Sequence, residues 1–419
     1  MNTYVFFTKR IAEIGGAEQY IYNKMTYLKK QGWRVLIFSG RDGNIMIEDF
    51  KPYRKYCFQE LRNAPVCCSK RAANRVINKI AGIISSCPLD ECIIESESVI
   101  RAAWAELVAE KLRCKHFAFP LQEEFFSTRE TKAFLRFKYR RHELAGIAVG
   151  SVGLMLDDPN VKQRPDTKFS AYCNNVFDDC IDVFSSQLDE DADYTIGSIG
   201  RLEKPCVIPL LEGIKEYIVQ NSDKKFNLVV IGGQGTDSKI SAIKEMFEGL
   251  KNTKLIMTGD MYPIPNSLVD KIDVFVSTAG SASATFKFGK PTVKVNPVTG
   301  VPAGIMGYDF IPGKDMYSRN ENASIPDHLK KVLVDKVGID YCQKLDDSFY
   351  RIMYAEFDRQ LNIARRDSGK DYFSKRILLS MYPRTKSLKK TKLVAFTGKI
   401  LGAKTTNKLL DYAEKRLKK

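Results

Sequence analysis

Short, continuous apolar runs alternate with amphipathic stretches over most of this chain, and that alternation constrains its fold more than any other feature. Tyr4 to Phe7 is such a run. From Ala17 onward Ala17, Tyr20, Ile21, Met25 and Leu28 recur at three- and four-residue spacing, one face of an α-helix, and Gly32 closes it. Val35 to Phe38 then has the length and composition of a strand buried on both faces, so the opening is a βαβ unit. The series continues with strands in ECIIESES from Glu91 and KHFAFP from Lys115, the helical VIRAAWAELVAEKL from Val99 between them, and GIAVGS from Gly146 and KFSAYC from Lys168. A polar, acidic stretch, SSQLDEDAD from Ser185 to Asp193, reads as a linker. Beyond it the alternation restarts with TIGSIGRL, a helix from Val207 to Val219, FNLVVIGG, a helix from Lys239 to Leu250, KLIMTGD, DVFVST, a short helix and PTVKV. The predicted fold class is α/β, two units in tandem, with ligands at strand carboxyl ends. The predicted domains are 1–185, 186–345, a helical segment 346–385 and a basic amphipathic tail 386–419.

Composition narrows the functional classes. A length of 419 residues suits two domains, and no run approaches the roughly 18 apolar residues of a membrane span. With no signal-like start, a cytoplasmic location is expected. Ten cysteines without C-x-x-C spacing suggest neither zinc nor a disulfide framework. Asp157-Asp158 and Asp178-Asp179 are adjacent pairs that point apart along a strand, and no metal requirement is predicted. The net charge of +16 is concentrated between Arg384 and Lys419, where twelve Lys or Arg face only Asp411 and Glu414. Smaller basic clusters lie at Lys70, Arg71, Arg75 and Lys79 and in RFKYRRHEL from Arg136. No nucleic-acid-binding motif accompanies this charge, so a nucleic-acid partner is the weakest reading. In the tail Leu388, Leu393, Val394, Phe396, Ile400, Leu401, Leu409, Leu410 and Leu417 stand among lysines, the pattern of a helix lying on an anionic membrane surface.

The order of the second-half motifs carries a resemblance. IGSIGRLEK (196–204), NLVVIGGQG (227–235), KLIMTGDM (254–261) and DVFVSTAGSASATFKFGKPTV (273–293) together resemble the donor-binding domain of GT-B glycosyltransferases, in particular the retaining family 4 enzymes. The Gly15-Gly16 loop, GIAVGS, and YCNNVFDD at the place of an Asn-Gly-Val-Asp turn resemble that family's acceptor domain. The resemblance implies two Rossmann-like domains with a cleft between them. It also implies a hexosyltransferase that takes a UDP- or GDP-linked sugar as co-substrate, with no further cofactor. The acceptor it implies is a glycan, lipid-linked, in cell-surface polysaccharide or capsule biosynthesis at the inner face of the membrane. The sequence departs from the family where a Glu-x7-Glu signature is expected, since no glutamate lies between Asp273 and Pro291. That leaves retention or inversion open and keeps a nucleotide-sugar epimerase of the same architecture as an alternative.

Transfer from a nucleotide-sugar leaves a diphosphate carrying new charge, so cations and backbone N–H groups must meet it. Arg201 and Lys204, just after a strand, supply the cations, as the resemblance also implies. Gly280, Ser281 and Ser283 place small residues at a helix N-terminus suited to an anion. The resemblance sets Gly259, Asp260 and Met261 against the nucleobase, and Gly232 and Gly233 end a strand at the same rim. Gly15 and Gly16 would let a donor or acceptor group approach the first helix. Glu123, flanked by Gln122 and Glu124, is the expected contact for an acceptor hydroxyl. His116, His142 and His328 are read as structural.

Overall fold

The computed structural model describes all residues except 13, 122–126, 174–175, 234, 312–316, 342–346, 367–370, 383–387 and 418–419. Glu123 and its neighbours Gln122 and Glu124 therefore lie outside the described residues. The chain divides into two compact units, Met1–Tyr172 with Tyr350–Arg416, and Cys173–Phe349 with the last three residues.

In the first unit β1 (Thr3–Thr8), β2 (Arg34–Ser39), β3 (Cys92–Ser96) and β4 (Lys115–Ala118) form a parallel sheet in the order β2-β1-β3-β4. All six residues of β1 are buried, as expected of a parallel strand covered on both faces. On one face Val5, Phe7, Leu36, Phe38 and Ile94 pack with α2 (Lys70–Ile84) and α3 (Val99–Leu112), where Ile77, Ile80, Trp104 and Val108 are buried. α1 (Gly16–Lys30) ends at Gly32, whose φ of 77° accommodates glycine. α4 (Arg129–Arg140) is capped by Thr128, and α5 (Ser151–Leu156) follows. α11 (Asp347–Arg365) belongs to this unit from Tyr350 on, and its Phe357 meets Tyr20 at 6.0 Å. α12 (Lys375–Ser380), α13 (Leu388–Leu401) and α14 (Ala403–Leu417) complete the unit.

Two expectations are corrected here. GIAVGS and KFSAYC are not strands: only the single bridges Ala118 to Leu144 and Gly146 to Lys168 form. A Cβ at Gly146 would stand 2.5 Å from the Ser151 Cβ, and Ser151 Oγ accepts from the Ala148 N–H, so the chain turns into α5 instead of extending. The division between units falls at Tyr172–Cys173, ahead of the acidic stretch. That stretch is not a free linker, because Asn227 in the second sheet bonds both the N–H and the carbonyl of Asp189.

The second unit opens with β5 (Phe177–Asp178), which pairs with β9 (Ile264–Pro265). Its main sheet comprises β6 (Tyr194–Ile199), β7 (Phe226–Ile231), β8 (Thr253–Gly259), β10 (Val274–Thr278), β11 (Thr292–Val295) and β12 (Pro302–Ile305), in the order β12-β11-β10-β6-β7-β8. Only β12 runs antiparallel. Ile196, Leu228, Val230, Val274 and Val276 pack on α6 (Val207–Gln220) through Leu211 and Ile214, and on α10 (Ile325–Leu333) through Ile325 and Leu329. The opposite face holds Val229, Ile231 and Phe275 with Leu268 of α8 (Asn266–Asp270) and Ala284 of α9 (Ala279–Lys287). Burying each of the Val, Leu, Ile and Phe side chains here contributes about 1.5–3 kcal/mol. Thr236 caps α7 (Asp237–Phe247), and Ser324 with Asp327 forms a capping box at α10.

Candidate functional site

The parallel order β10-β6-β7-β8 brings four strand-to-helix loops to one carboxyl edge of the second sheet. Gly232 has φ 147° and lies where a Cβ would be 2.0 Å from the Gly200 carbonyl oxygen, so the loops after β6 and β7 touch backbone to backbone. The Gly200 N–H donates to Ile231 O at 3.0 Å and the Leu202 N–H to Gly233 O at 2.8 Å. Gly233 N donates to Asp260 Oδ1 at 3.1 Å, and Gly232 bridges Gly259. Met261 follows, half-buried against the core below. Gly232, Gly233, Gly259 and Asp260 are therefore one rim.

Arg201 leaves the same edge, partly exposed, and its guanidinium donates to Glu203 at 2.7 Å. The Lys204 carbonyl accepts from Lys239 Nζ at 2.7 Å. On the adjacent strand β10, Ser277 Oγ accepts the Ile199 N–H at 3.1 Å, which fixes the start of α9 beside β6. Ala279 opens α9 with φ 49°, a left-handed value in a residue that seldom adopts it, and strain of this kind concentrates at functional sites. Thr278, the N-cap residue, does not cap the helix, and its buried Oγ1 has no partner among the described residues. A Cβ at Gly280 would meet Cys173 Sγ at 3.0 Å. Burial pushes the Cys173 thiol up to about 11, while the positive charges of Lys287 and Lys204 pull against it. Lys287 itself is pushed below the usual lysine range by burial. It stands in the last turn of α9, two turns from Gly280, with its Nζ over the Phe349 ring at 4.9 Å. Ser283 Oγ donates to Ala279 O at 3.4 Å, inside the helix, whereas Ser281 stays half-buried at its start.

The first unit offers a second corner, between the loops after β1 and β3. Lys9 N donates to Glu97 Oε1 at 2.6 Å, and Arg10 Nε donates to Glu18 Oε1 at 3.2 Å. Gly15 is extended, with φ −166°, and a Cβ there would meet only the Glu18 carboxylate at 2.8 Å, so Gly15 and Gly16 lead into this corner without needing special backbone angles. Burial pushes the Glu97 carboxyl up, Arg101 draws it back and Glu18 raises it again, leaving it above its ordinary range. Ser98 is the N-cap of α3 without capping it, and its buried Oγ, like Gln19 Oε1, has no partner among the described residues. The sequence reading missed Glu97, Ser98 and Gln19. Their only signal is position, directly after a strand or in the first turn of a helix.

Each histidine is held by neighbours within its own unit. His116 is sealed in the core between Glu106, at 2.7 Å, and Ser96, at 2.9 Å, an arrangement with the connectivity of a nucleophilic triad. Ser96 is only 1% exposed, so no substrate reaches it. Burial and the neighbouring Lys138 both hold the His116 pKa down, against the pull of Glu106. His142 pairs with Asp166 at 2.7 Å, and His328 is buried with Nδ1 on Ser324 O. Among the described residues no group of three or more His, Cys, Asp or Glu is placed to hold a metal ion.

No family model matches the sequence, and no curated protein matches it. Solved structures do. Anabaena Alr3699/HepE in complex with UDP-glucose is similar over 86% of this chain and 98% of its own, at 12% identity and a TM-score of 0.56. A glycosyltransferase from Rickettsia africae is similar over 94% and 98%, at 13% identity and a TM-score of 0.54. A Listeria monocytogenes protein assigned as a UDP-N-acetylglucosamine 2-epimerase is similar over 89% and 100%, at 12% identity and a TM-score of 0.51. Identities this low speak for the fold: the two units are the Rossmann-like domains of a GT-B architecture.

Proposed function

We propose that this chain is a glycosyltransferase that moves a hexosyl group from a UDP- or GDP-linked donor to a glycan acceptor. The observation that carries the reading is the convergence, at one sheet edge, of the Gly232–Gly233–Gly259 rim, the Gly280 end of α9, and the loop after β6 that carries Arg201 and Lys204. Small residues let a nucleotide lie against the backbone there. The cations and helix N–H groups balance the charge that appears on the diphosphate as the glycosidic bond to it breaks. Because Lys and Arg serve this purpose, transfer is proposed to need no metal, and EDTA should leave it unchanged. In the first unit the Glu97 carboxylate, with Ser98 and Gln19, is proposed to receive the acceptor hydroxyl, a role the sequence reading gave to Glu123.

The finer proposal is a lipid-linked acceptor in cell-surface polysaccharide or capsule biosynthesis, with the enzyme cytoplasmic and peripheral at an anionic inner membrane face. No helix among the described residues is long and apolar enough to cross a membrane. Retention of anomeric configuration is proposed from the family resemblance. A nucleotide-sugar epimerase is the second reading, favoured by the lack of any glutamate between Asp273 and Pro291. Thermal shifts with UDP, GDP and their sugar conjugates test the donor site, and a chain stabilised by none of them refutes both readings. Product analysis separates them: an isomerised nucleotide-sugar in place of a released nucleoside diphosphate would establish the epimerase.

A further inference from the structure

Helices α13 and α14 do not trail away from the first unit. Val394 and Ala395 are buried against Ala64, Val66 and Cys67, and Gly398 sits where a Cβ would be 2.1 Å from the Cys67 carbonyl oxygen. Asn407 donates to Gln59 O at 2.9 Å and accepts from Asn63 at 2.8 Å, and Asp411 pairs with Arg62 at 2.6 Å. A left-handed Gly402, φ 78°, separates the two helices. Of the apolar tail residues, Val394 is thus turned inward and Leu410 half-buried, which corrects the sequence expectation of one membrane-facing set.

What remains outside is narrower and better defined. Leu393, Phe396 and Ile400 follow one another at three- and four-residue spacing, within a roughly 60° arc of α13, and are 63%, 64% and 64% exposed. Leu409 and Tyr412, three apart on α14, are likewise exposed. Lys392, Lys399, Lys404 and Lys408 are exposed on the same two helices. Lys70 and Arg71 begin α2 just beyond Cys67, against which Val394 and Ala395 of α13 pack. Cations in a helix's first turn oppose its dipole, so their placement costs stability that another contact must offset.

We propose that the outer faces of α13 and α14, with the basic first turn of α2, form a preformed docking surface for an anionic lipid bilayer. Leu393, Phe396 and Ile400 enter the headgroup boundary while the lysines stay at the level of the lipid phosphates. The lysines decide the occupant. In a symmetric contact with a second copy, these residues would face their own counterparts, cation against cation. The surface deepens the reading of a membrane-borne acceptor, but lipid binding itself does not depend on nucleotide chemistry.

The test is sedimentation of the full chain with phosphatidylcholine vesicles and with equimolar phosphatidylcholine–phosphatidylglycerol vesicles at low salt. The wild type should bind the anionic vesicles, and Phe396→Ser with Ile400→Ser, or Lys392→Glu with Lys399→Glu, should each weaken binding about 10-fold or more. Circular dichroism and an unchanged UDP thermal shift would show that the variants are intact. Absence of wild-type binding to anionic vesicles, or equal binding by all three proteins, overturns the proposal. So does a concentration-dependent dimer that the Phe396→Ser change dissolves, which would make the stripe a self-association surface. A wild type that binds vesicles but no nucleotide would leave this surface standing and refute the donor site.

Discussion

Arg201 is already engaged by Glu203 at 2.7 Å, so in the proposed role a diphosphate would compete with that carboxylate for a partly exposed guanidinium. Arg201→Ala should weaken nucleotide binding about 10- to 100-fold, the loss of one or two charge-assisted hydrogen bonds, measured by titration calorimetry. At Glu97 the expectation concerns pH. A base works when deprotonated, and this carboxyl sits above its ordinary range among Arg101, Glu18 and Lys9. Activity should therefore fall as pH drops through that raised value, and Glu97→Gln should abolish the limb together with most of the turnover. An unchanged pH profile in a folded variant would return Glu97 to a structural role. That Gly232 and Gly259 meet other backbone closely was legible in the sequence, because close backbone approach restricts residue type. The surroundings of Glu97 and Cys173 were not, since they are set by residues far away in the chain.

Among the elements, the best-read strands were those buried on both faces, such as β1, β7 and β10, whose continuous apolar runs admit few other structures. GIAVGS misled because it is apolar yet rich in glycine and serine, which turn as readily as they extend. α2 is left out of the reading, although Ala73, Val76, Ile77, Ile80 and Ile84 recur at helical spacing and are buried. One contact between elements appears in no local pattern. Lys24 of α1 donates to Glu95 of β3 at 2.6 Å and to Gln360 of α11 at 3.0 Å, with both charges buried. Lys24→Met leaves Glu95 uncompensated and should cost about 3–5 kcal/mol in urea denaturation. In the second unit Asp182 ties β5, through the following loop, to α8. Burial pushes its carboxyl up, but the Ser185 and Ser267 hydroxyls and the N–H groups of Ser185 and Phe184 bring it down to about 2. Its folded value lies below its unfolded one, so its contribution is present above about pH 4 and lost as pH falls towards 2. Asp182→Asn should accordingly be less stable than wild type at pH 7, with the difference vanishing across that window.

At the scale of the whole molecule, the two units differ in how the chain builds them. The second is contiguous apart from the last three residues, whereas the first needs both Met1–Tyr172 and Tyr350–Arg416. Residues 173–349 made alone should fold cooperatively and show a UDP or GDP thermal shift, whereas residues 1–172 alone should not. Adding 350–416 in trans should restore structure to the latter, and circular dichroism would report it. For the same reason, deleting the tail is a poor probe of membrane binding, because it uncovers Ala64, Val66 and Cys67. The interruption also matters during synthesis. With translation at ~5–20 residues per second, the first unit waits roughly 10–40 s, while the whole of the second is made, before α11 can supply Gln360 to Lys24 and Phe357 to Tyr20. At the end of that interval a nascent chain carries a finished second unit and an uncovered first one, so chaperone demand should peak late in translation, and messages truncated after residue 349 should yield products that proteases remove from one end only.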